Sequence, residues 1–210
     1  RTSEIEFDFI ASLDSSALKD ALVTAKPKNT LFLVVSKTFS TEDTLTNAIN
    51  AKQWIKDHLG NKAIQYHFTA ITENQSAASE FGINHKLIFP LWNWVGGRYS
   101  TCSAVGLPIA LANGSAAFME FLDGAHSMDR HFEVTPPEKN LAIMLALIDL
   151  WNRSFWNISA LAILPYDYRM RLFPGFVQAL IMESNGKSAK LSGRKNQQET
   201  APIVFGKLGS

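Results

Sequence analysis

The chain has 210 residues, of which 46% are hydrophobic and 19% charged, and this globular composition excludes a mainly disordered chain. Its 20 lysine and arginine residues exceed its 19 aspartate and glutamate residues by one, so the formal net charge is +1. This balance excludes an overall basic field for nucleic acid or an anionic membrane, and any anion site must be local.

Strands and helices alternate in the first half of the sequence. Short apolar runs rich in β-branched residues predict strands at 5–11, 31–35, 63–72 and 87–92. Apolar residues at helical spacing predict helices at 15–24, 42–59 and 76–81, with capping oxygens from Asp14, Ser15 and Ser16 and with Gly60 and Gly82 as stops. This order predicts a parallel α/β sheet with right-handed crossovers, a Rossmann-like organisation.

Helices predominate after residue 100. They are predicted at 100–111, 115–123, 137–155 and 166–182, the last interrupted near Pro174. Short strands are predicted at 161–164 and 203–205, and the polar segment 186–200 is predicted to be a mobile loop or a hairpin. We expect one apolar stripe of the 137–155 helix to be buried. Its members are Leu141, Met144, Leu145, Ile148 and Trp151.

The cysteine content and the apolar runs bear on the compartment. Cys102 is the only cysteine, so an intrachain disulfide is impossible, and we expect a cytoplasmic protein. The longest strongly apolar run, 141–148, is shorter than the roughly 20 residues of a membrane-spanning helix, and no signal peptide is visible. Because the sequence begins at Arg1, within what resembles the middle of a domain, we expect a fragment.

A polar loop directly follows the predicted strand 31–35. It contains four hydroxyls and one ammonium group, from Ser36, Lys37, Thr38, Ser40 and Thr41. Backbone N–H groups at a helix start favour an anion, and hydroxyls and a lysine strengthen such a site. The alternative is that these hydroxyls only cap the following helix.

Three residues, Gly96, Gly97 and Arg98, follow the fourth predicted strand. Glycines allow a sharp turn and a close approach to a ligand, and the arginine lies at the carboxyl end of a strand, where α/β sheets bind ligands. The alternative for Arg98 is a structural ion pair.

Two other groups of residues have simple alternatives to a functional role. Glu183 follows a predicted helix, and an exposed glutamate at a helix end is usually only solvated. His126, Asp129 and His131 lie close together in GAHSMDRHF, but their spacing matches no recognised metal motif, so we expect no metal site.

Three stretches of the sequence resemble the glucose-6-phosphate isomerase family. They are SKTFSTEDTLTNA from residue 36, WNWVGGRYS at 92–100 and MESNGK at 182–187, in the order found in that family. The resemblance implies the later part of a first sugar isomerase (SIS) domain at 1–111 and the start of a second at 112–210. It also implies a cytoplasmic, homodimeric enzyme of glycolysis and gluconeogenesis that interconverts glucose 6-phosphate and fructose 6-phosphate, without a cofactor or metal.

The resemblance also implies roles for individual residues. Phosphate would be bound by Ser36, Lys37, Thr38 and Thr41, and Gly97 and Gln178 would lie next to the substrate. Arg98 would stabilise an enediol intermediate, because a permanently charged planar donor suits a developing oxyanion. Glu183 would move a proton between C2 and C1 of the opened sugar.

Some family features differ or are missing in these 210 residues. Asn93 stands where the family usually has aspartate, and Cys102 stands where it often has tryptophan. Ala179 occupies the position of a glutamine that contacts the substrate in the family. A phosphate turn upstream and the histidine and lysine assigned to ring opening have no counterpart, so we expect the isolated chain to be inactive. One rival hypothesis is a non-catalytic sugar-phosphate-binding module, which would not need Arg98 and Glu183 together. A structural or signalling role is a second rival, with no supporting feature.

Overall fold

A computed structural model describes residues 5–197 and 199–209. The chain divides into two compact units, Arg1–Asp123 and Gly124–Ser210. The predicted assignment of 1–111 and 112–210 to two sugar isomerase domains concerns the family's domains and stays a prediction.

A parallel three-stranded sheet forms the centre of the first unit. Its strands are β1 (Phe32–Val35), β2 (Phe68–Thr72) and β3 (Ile88–Pro90), in the order β1-β2-β3. Val34 lies beside Ala70, which lies beside Ile88. The helices are α1 (Ser15–Thr24), α2 (Glu42–Leu59), α3 (Ile64–His67), α4 (Gln75–Phe81) and α5 (Leu107–Asn113). The predicted parallel α/β organisation is confirmed.

Both faces of the central strand are covered, because all five residues of β2 are buried. Alternate residues of a strand point to opposite faces. Phe68 and Ala70 pack with Ile55 of α2, whereas Ile71 packs with Leu91 and Val95 on the other side.

Of the three residues predicted to cap α1, Asp14 does so, and the two predicted glycine stops are confirmed. The Asp14 carboxylate accepts a hydrogen bond from the Ser16 backbone N–H at 2.9 Å and so caps α1. Gly60 ends α2 with φ +82° and Gly82 ends α4 with φ +105°, conformations that a side chain would strain.

Three predictions for the first unit are wrong. Residues 5–11 form no strand, because no described strand pairs with them, and Phe9 is 79% exposed. The strand predicted at 63–72 begins only at Phe68, since Phe68 pairs with Phe32, the first residue of β1, and earlier residues have no described strand partner. The helix predicted from residue 100 is two 3₁₀ segments, Gly97–Cys102 and Ala104–Gly106, separated by the extended residue Ser103 and followed by α5.

Longer helices and a two-stranded parallel sheet follow. The helices are α6 (Ser115–Val134), α7 (Leu141–Trp156) and α8 (Phe173–Gln178), and the strands are β4 (Ala160–Ile163) and β5 (Ile203–Gly206). Helix α6 continues beyond its predicted end at residue 123. The strands predicted near 161 and 203 are confirmed, with Leu161 beside Val204. Only glycine fits at position 206, because an added Cβ would overlap the Ile163 carbonyl oxygen.

The apolar stripe of α7 is not buried, contrary to the prediction. Leu141, Leu145 and Trp151 are each more than half exposed. A stripe at helical spacing predicts that a helix has an apolar face, but burial depends on a covering element, which the described residues do not supply.

The polar segment after α8 forms a hairpin, one of its two predicted forms. Ala189 bridges Lys195 in antiparallel fashion, and the Lys190 N–H donates to the Arg194 carbonyl at 2.8 Å. Gly193 has φ +78°, as a tight turn requires. Across the described part of the chain, no helix combines the length and the apolar character that crossing a membrane would demand.

Candidate active site

The hydroxyl loop, residues 36–41, joins β1 to α2. Ser36 is buried, and its hydroxyl lies 3.0 Å from the Thr41 hydroxyl. The Ser40 hydroxyl donates to the Thr38 hydroxyl at 2.6 Å. Thr41 is the N-cap residue of α2, yet its side chain makes no capping hydrogen bond. The capping interpretation therefore does not describe Thr41, whose hydroxyl faces back into the loop.

Phe39 anchors the hydroxyl loop, a role that the sequence interpretation missed. Its ring is 5% exposed and makes an edge-to-face contact with Phe81, with ring centroids 5.8 Å apart. Its φ of +53° is unusual for a bulky residue and costs on the order of 1–3 kcal/mol. The available signal was a single aromatic residue among hydroxyl side chains.

Lys37 connects this loop to the turn that follows β3. Its Nζ donates to the backbone carbonyls of Asn93 at 2.5 Å and Val95 at 3.2 Å. The carboxyl ends of parallel strands lie at the same edge of a sheet, so the segments after β1 and β3 are neighbours. The Lys37 carbonyl also accepts hydrogen bonds from the Glu73 N–H at 2.9 Å and the Thr72 hydroxyl at 3.1 Å, at the end of β2.

Arg98 lies just after this turn, in the 3₁₀ segment Gly97–Cys102, and is half-buried. Neither of the two preceding glycines adopts left-handed backbone, so neither position requires glycine for its φ angle. An added Cβ at Gly97 would meet no atom within 4 Å. Gly97 thus leaves open space beside Arg98.

Glu183 and Gln178 lie in the second unit, near β5. Glu183 is exposed and is the last residue of a π-helical segment, Ala179–Glu183, that continues α8. The Ser184 hydroxyl donates to its Oε2 at 3.0 Å. The Gln178 amide donates to the Val204 carbonyl at 2.7 Å. The sequence did not indicate the π-helix, a feature often found at functional sites.

One histidine of the histidine-rich stretch of α6 contacts the backbone at the start of α7. Nε2 of His131 accepts a hydrogen bond from the Leu141 backbone N–H at 3.0 Å. The buried Asn140 caps the same helix by accepting from the Ile143 N–H. In the described part of the chain, no three His, Cys, Asp or Glu side chains are grouped so as to hold a metal ion.

The predicted site residues therefore fall into two sets. The hydroxyl loop, Lys37 and the turn before Arg98 are joined in the first unit, and Glu183 and Gln178 lie together in the second. Of the departures from the family pattern, Asn93 contributes its backbone carbonyl to Lys37, Cys102 is exposed and Ala179 is half-buried.

Comparisons with known proteins agree on one family. A family model described as phosphoglucose isomerase matches residues 1–210. Glucose-6-phosphate isomerase 1 of Neisseria meningitidis is 46% identical over 206 residues, which cover 98% of this chain and 38% of that protein. Glucose-6-phosphate isomerase of Bartonella bacilliformis is 46% identical over 202 residues, covering 96% and 37%.

Two solved structures share the fold. A glucose-6-phosphate isomerase from Chlamydia trachomatis has a TM-score of 0.86 at 30% identity, covering 96% of this chain and 39% of its own. A hypothetical protein from Thermus thermophilus has a TM-score of 0.84 at 27% identity, covering 99% and 48%. This chain thus spans about 38% of the length of the curated relatives that it matches.

Proposed function

The chain belongs to the phosphoglucose isomerase family, and from this premise we propose that it contributes part of the active site of a glucose-6-phosphate isomerase. The whole enzyme would interconvert glucose 6-phosphate and fructose 6-phosphate through an enediol intermediate, and so serve glycolysis and gluconeogenesis. We propose a cytoplasmic homodimer built from sugar isomerase (SIS) domains, with sugar phosphate as its substrate and no dependence on nucleic acid or a membrane.

Phosphate would bind in the hydroxyl loop. Ser36, Thr38 and Thr41 would donate hydrogen bonds to its oxygens, and the start of the 18-residue α2 would add the favourable end of a helix dipole. Glu42 and Asp43 in the first turn of α2 oppose an anion. The positive charge of Lys37 compensates for part of that repulsion.

Isomerisation requires a proton to move between adjacent carbons. The Glu183 carboxylate would remove the proton from C2 of the open-chain aldose, and the electron pair of the broken C–H bond would form the C1–C2 double bond of the enediolate. The C1 oxygen then gains a proton and the C2 hydroxyl loses one, and return of the carbon-bound proton from Glu183 to C1 yields the ketose with its carbonyl at C2. C1 is reduced as C2 is oxidised, so the reaction balances without another redox partner.

Arg98 would stabilise the oxygen on which negative charge develops in this step. A guanidinium presents several N–H donors in one plane and so suits a developing oxyanion. The open space beside Gly97 would admit the sugar. Gln178 would contact the substrate, as the family resemblance implies.

One observation carries the proposal: the hydroxyl loop after β1 is joined through Lys37 to the turn that leads into Arg98. The test is a chimera in which this chain replaces the matching segment of the Neisseria meningitidis relative. The assay measures fructose 6-phosphate formation by the chimera. We expect turnover in the chimera and its loss in Glu183→Gln. Glu80→Gln, which changes an exposed glutamate of α4, should leave turnover unchanged. A folded chimera whose turnover survives Glu183→Gln would refute the assigned base.

We further propose that the 210 residues alone do not turn over glucose 6-phosphate. The ring-opening histidine and lysine implied by the family resemblance have no counterpart among these residues, and loss of general acid–base assistance typically lowers a rate by about 10²–10⁴. Turnover by the purified chain that disappears in Glu183→Gln would contradict this.

A further inference from the structure

Lys37 directs its charge toward the backbone of a neighbouring turn. An ammonium group has three donors, and Nζ uses two of them on the carbonyls of Asn93 and Val95. These acceptors lie five and three residues before Arg98. Lys37 therefore contacts the segment that fixes the position of the Arg98 backbone.

Among the described residues, few other contacts hold this turn in place. Its tip is exposed, with Trp94 at 78% exposure, and of residues 92–95 only Val95 is buried. One internal hydrogen bond, from the Val95 N–H to the Trp92 carbonyl at 3.0 Å, closes the turn. The turn is thus fixed mainly by the Val95 side chain and by Lys37.

The Lys37 backbone is itself firmly held. Its carbonyl accepts two hydrogen bonds from the end of β2, from Glu73 and Thr72. The preceding residue, Ser36, is buried and donates its N–H to the Ile71 carbonyl at 3.2 Å. The ammonium therefore projects from a rigid point at the edge of the sheet toward a turn that has little packing of its own.

We propose that Lys37 is a positioning residue: it holds the Asn93–Val95 turn against the hydroxyl loop and thereby sets the position of Arg98. This inference rests on the proposed function, in which the hydroxyl loop binds phosphate and Arg98 faces the reacting carbons. It also predicts coupling, since phosphate in the loop attracts the same ammonium that holds the arginine turn.

The first test measures amide hydrogen exchange in the 210-residue chain. Lys37→Met keeps the length of the side chain but removes its donors, and we expect the Val95 amide to exchange at least about tenfold faster. Lys52→Met is the matched control, because Lys52 also donates to a backbone carbonyl, that of Phe81, away from this turn. The control should leave Val95 unchanged. Unchanged exchange at Val95 in Lys37→Met would overturn the proposal.

The second test follows the Arg98 Nε–H resonance during titration with inorganic phosphate, a readout that a purely structural role would not alter. The resonance should shift in the wild-type chain and fail to shift in Lys37→Met, and Lys37→Arg, which retains the donors, should restore the shift. If Lys37→Met lowers the folded fraction, Lys37→Gln, with one amide group, replaces it in both tests.

The outcomes separate this inference from the proposed function. Faster Val95 exchange in Lys37→Met, together with no phosphate binding by the wild-type chain, would support positioning and refute the phosphate site. A loss of phosphate affinity in Lys37→Met with unchanged Val95 exchange would make Lys37 a direct phosphate ligand and overturn the positioning role.

Discussion

Removing the Ser36 hydroxyl tests the hydroxyl loop directly. Ser36 is 5% exposed, and its hydroxyl has one described side-chain partner, the Thr41 hydroxyl at 3.0 Å. In the free chain, Ser36→Ala removes one hydrogen bond between neutral groups and leaves Thr41 in contact with water. We therefore expect a loss of about 0.5–1.5 kcal/mol in the free energy of unfolding.

The effect on phosphate binding should be larger. A hydrogen bond to a charged group contributes about 1.5–3 kcal/mol, which corresponds to a rise of roughly 10- to 150-fold in the dissociation constant for glucose 6-phosphate. Calorimetric titration of the 210-residue chain measures this constant, and urea unfolding measures stability in parallel. Glucose without phosphate should give no comparable difference between the wild type and Ser36→Ala.

Thr24→Val is the matched control for Ser36→Ala. The Thr24 hydroxyl lies at the end of α1 and donates to the Ala21 carbonyl of its own helix, at 3.4 Å. Its removal should leave the affinity for glucose 6-phosphate unchanged. An affinity of Ser36→Ala within twofold of the wild-type value would show that the hydroxyl is structural and that the phosphate assignment is wrong.

Three further predictions concern Arg98, Phe39 and Asp14. In the chimera, Arg98→Ala should lower turnover by about 10²-fold or more with little change in melting temperature, whereas Arg130→Ala, which breaks an exposed ion pair, should alter neither by much. Phe39→Ala should cost about 3–5 kcal/mol in urea unfolding, partly offset by relief of its left-handed backbone, and a loss below about 1 kcal/mol would refute the anchoring role. A hydrogen bond from the Ser16 backbone N–H lowers the pKa of the Asp14 carboxyl below its ordinary value of 3.8, and the Ser16 side chain lowers it further. The Asp14 carboxylate therefore stabilises α1 above that pH, and this stabilisation is lost as the pH falls through the lower folded pKa. Hydrogen exchange of the Ser16 amide should therefore depend on pH in this range. Asp14→Asn keeps a capping oxygen but cannot ionise, so it should remove this dependence, and an unchanged pH profile in the variant would contradict the prediction.

Local chemistry predicted much of the first unit. A continuous apolar run sufficed to find β1, and glycine in left-handed backbone sufficed to end α2 and α4, because these features depend on a few consecutive residues. The failures at 5–11 and 63–67 have another cause. A strand exists only where another strand pairs with it, and a single segment does not reveal its partner.

The same distinction applies to the candidate site. The hydroxyl loop and Arg98 were found from residue types and their place after a strand. The acceptors of the Lys37 ammonium lie 56 and 58 residues further along the chain, so only the three-dimensional fold reveals them. The π-helical segment that ends at Glu183 was likewise hidden, since its residues have no helical signal that differs from that of an α-helix.

The geometry of the hydroxyl loop favours ligand binding over helix capping. A capping threonine would accept a hydrogen bond from the first turn of its helix, but the Thr41 hydroxyl meets Ser36 instead. The loop also holds Phe39 in a costly backbone conformation, which burial against Phe81 compensates. A loop that served only to start α2 would need neither feature, because one capping side chain in relaxed backbone suffices. Backbone strain that the surrounding core supports is typical of sites that must present groups in a fixed arrangement, as phosphate recognition requires.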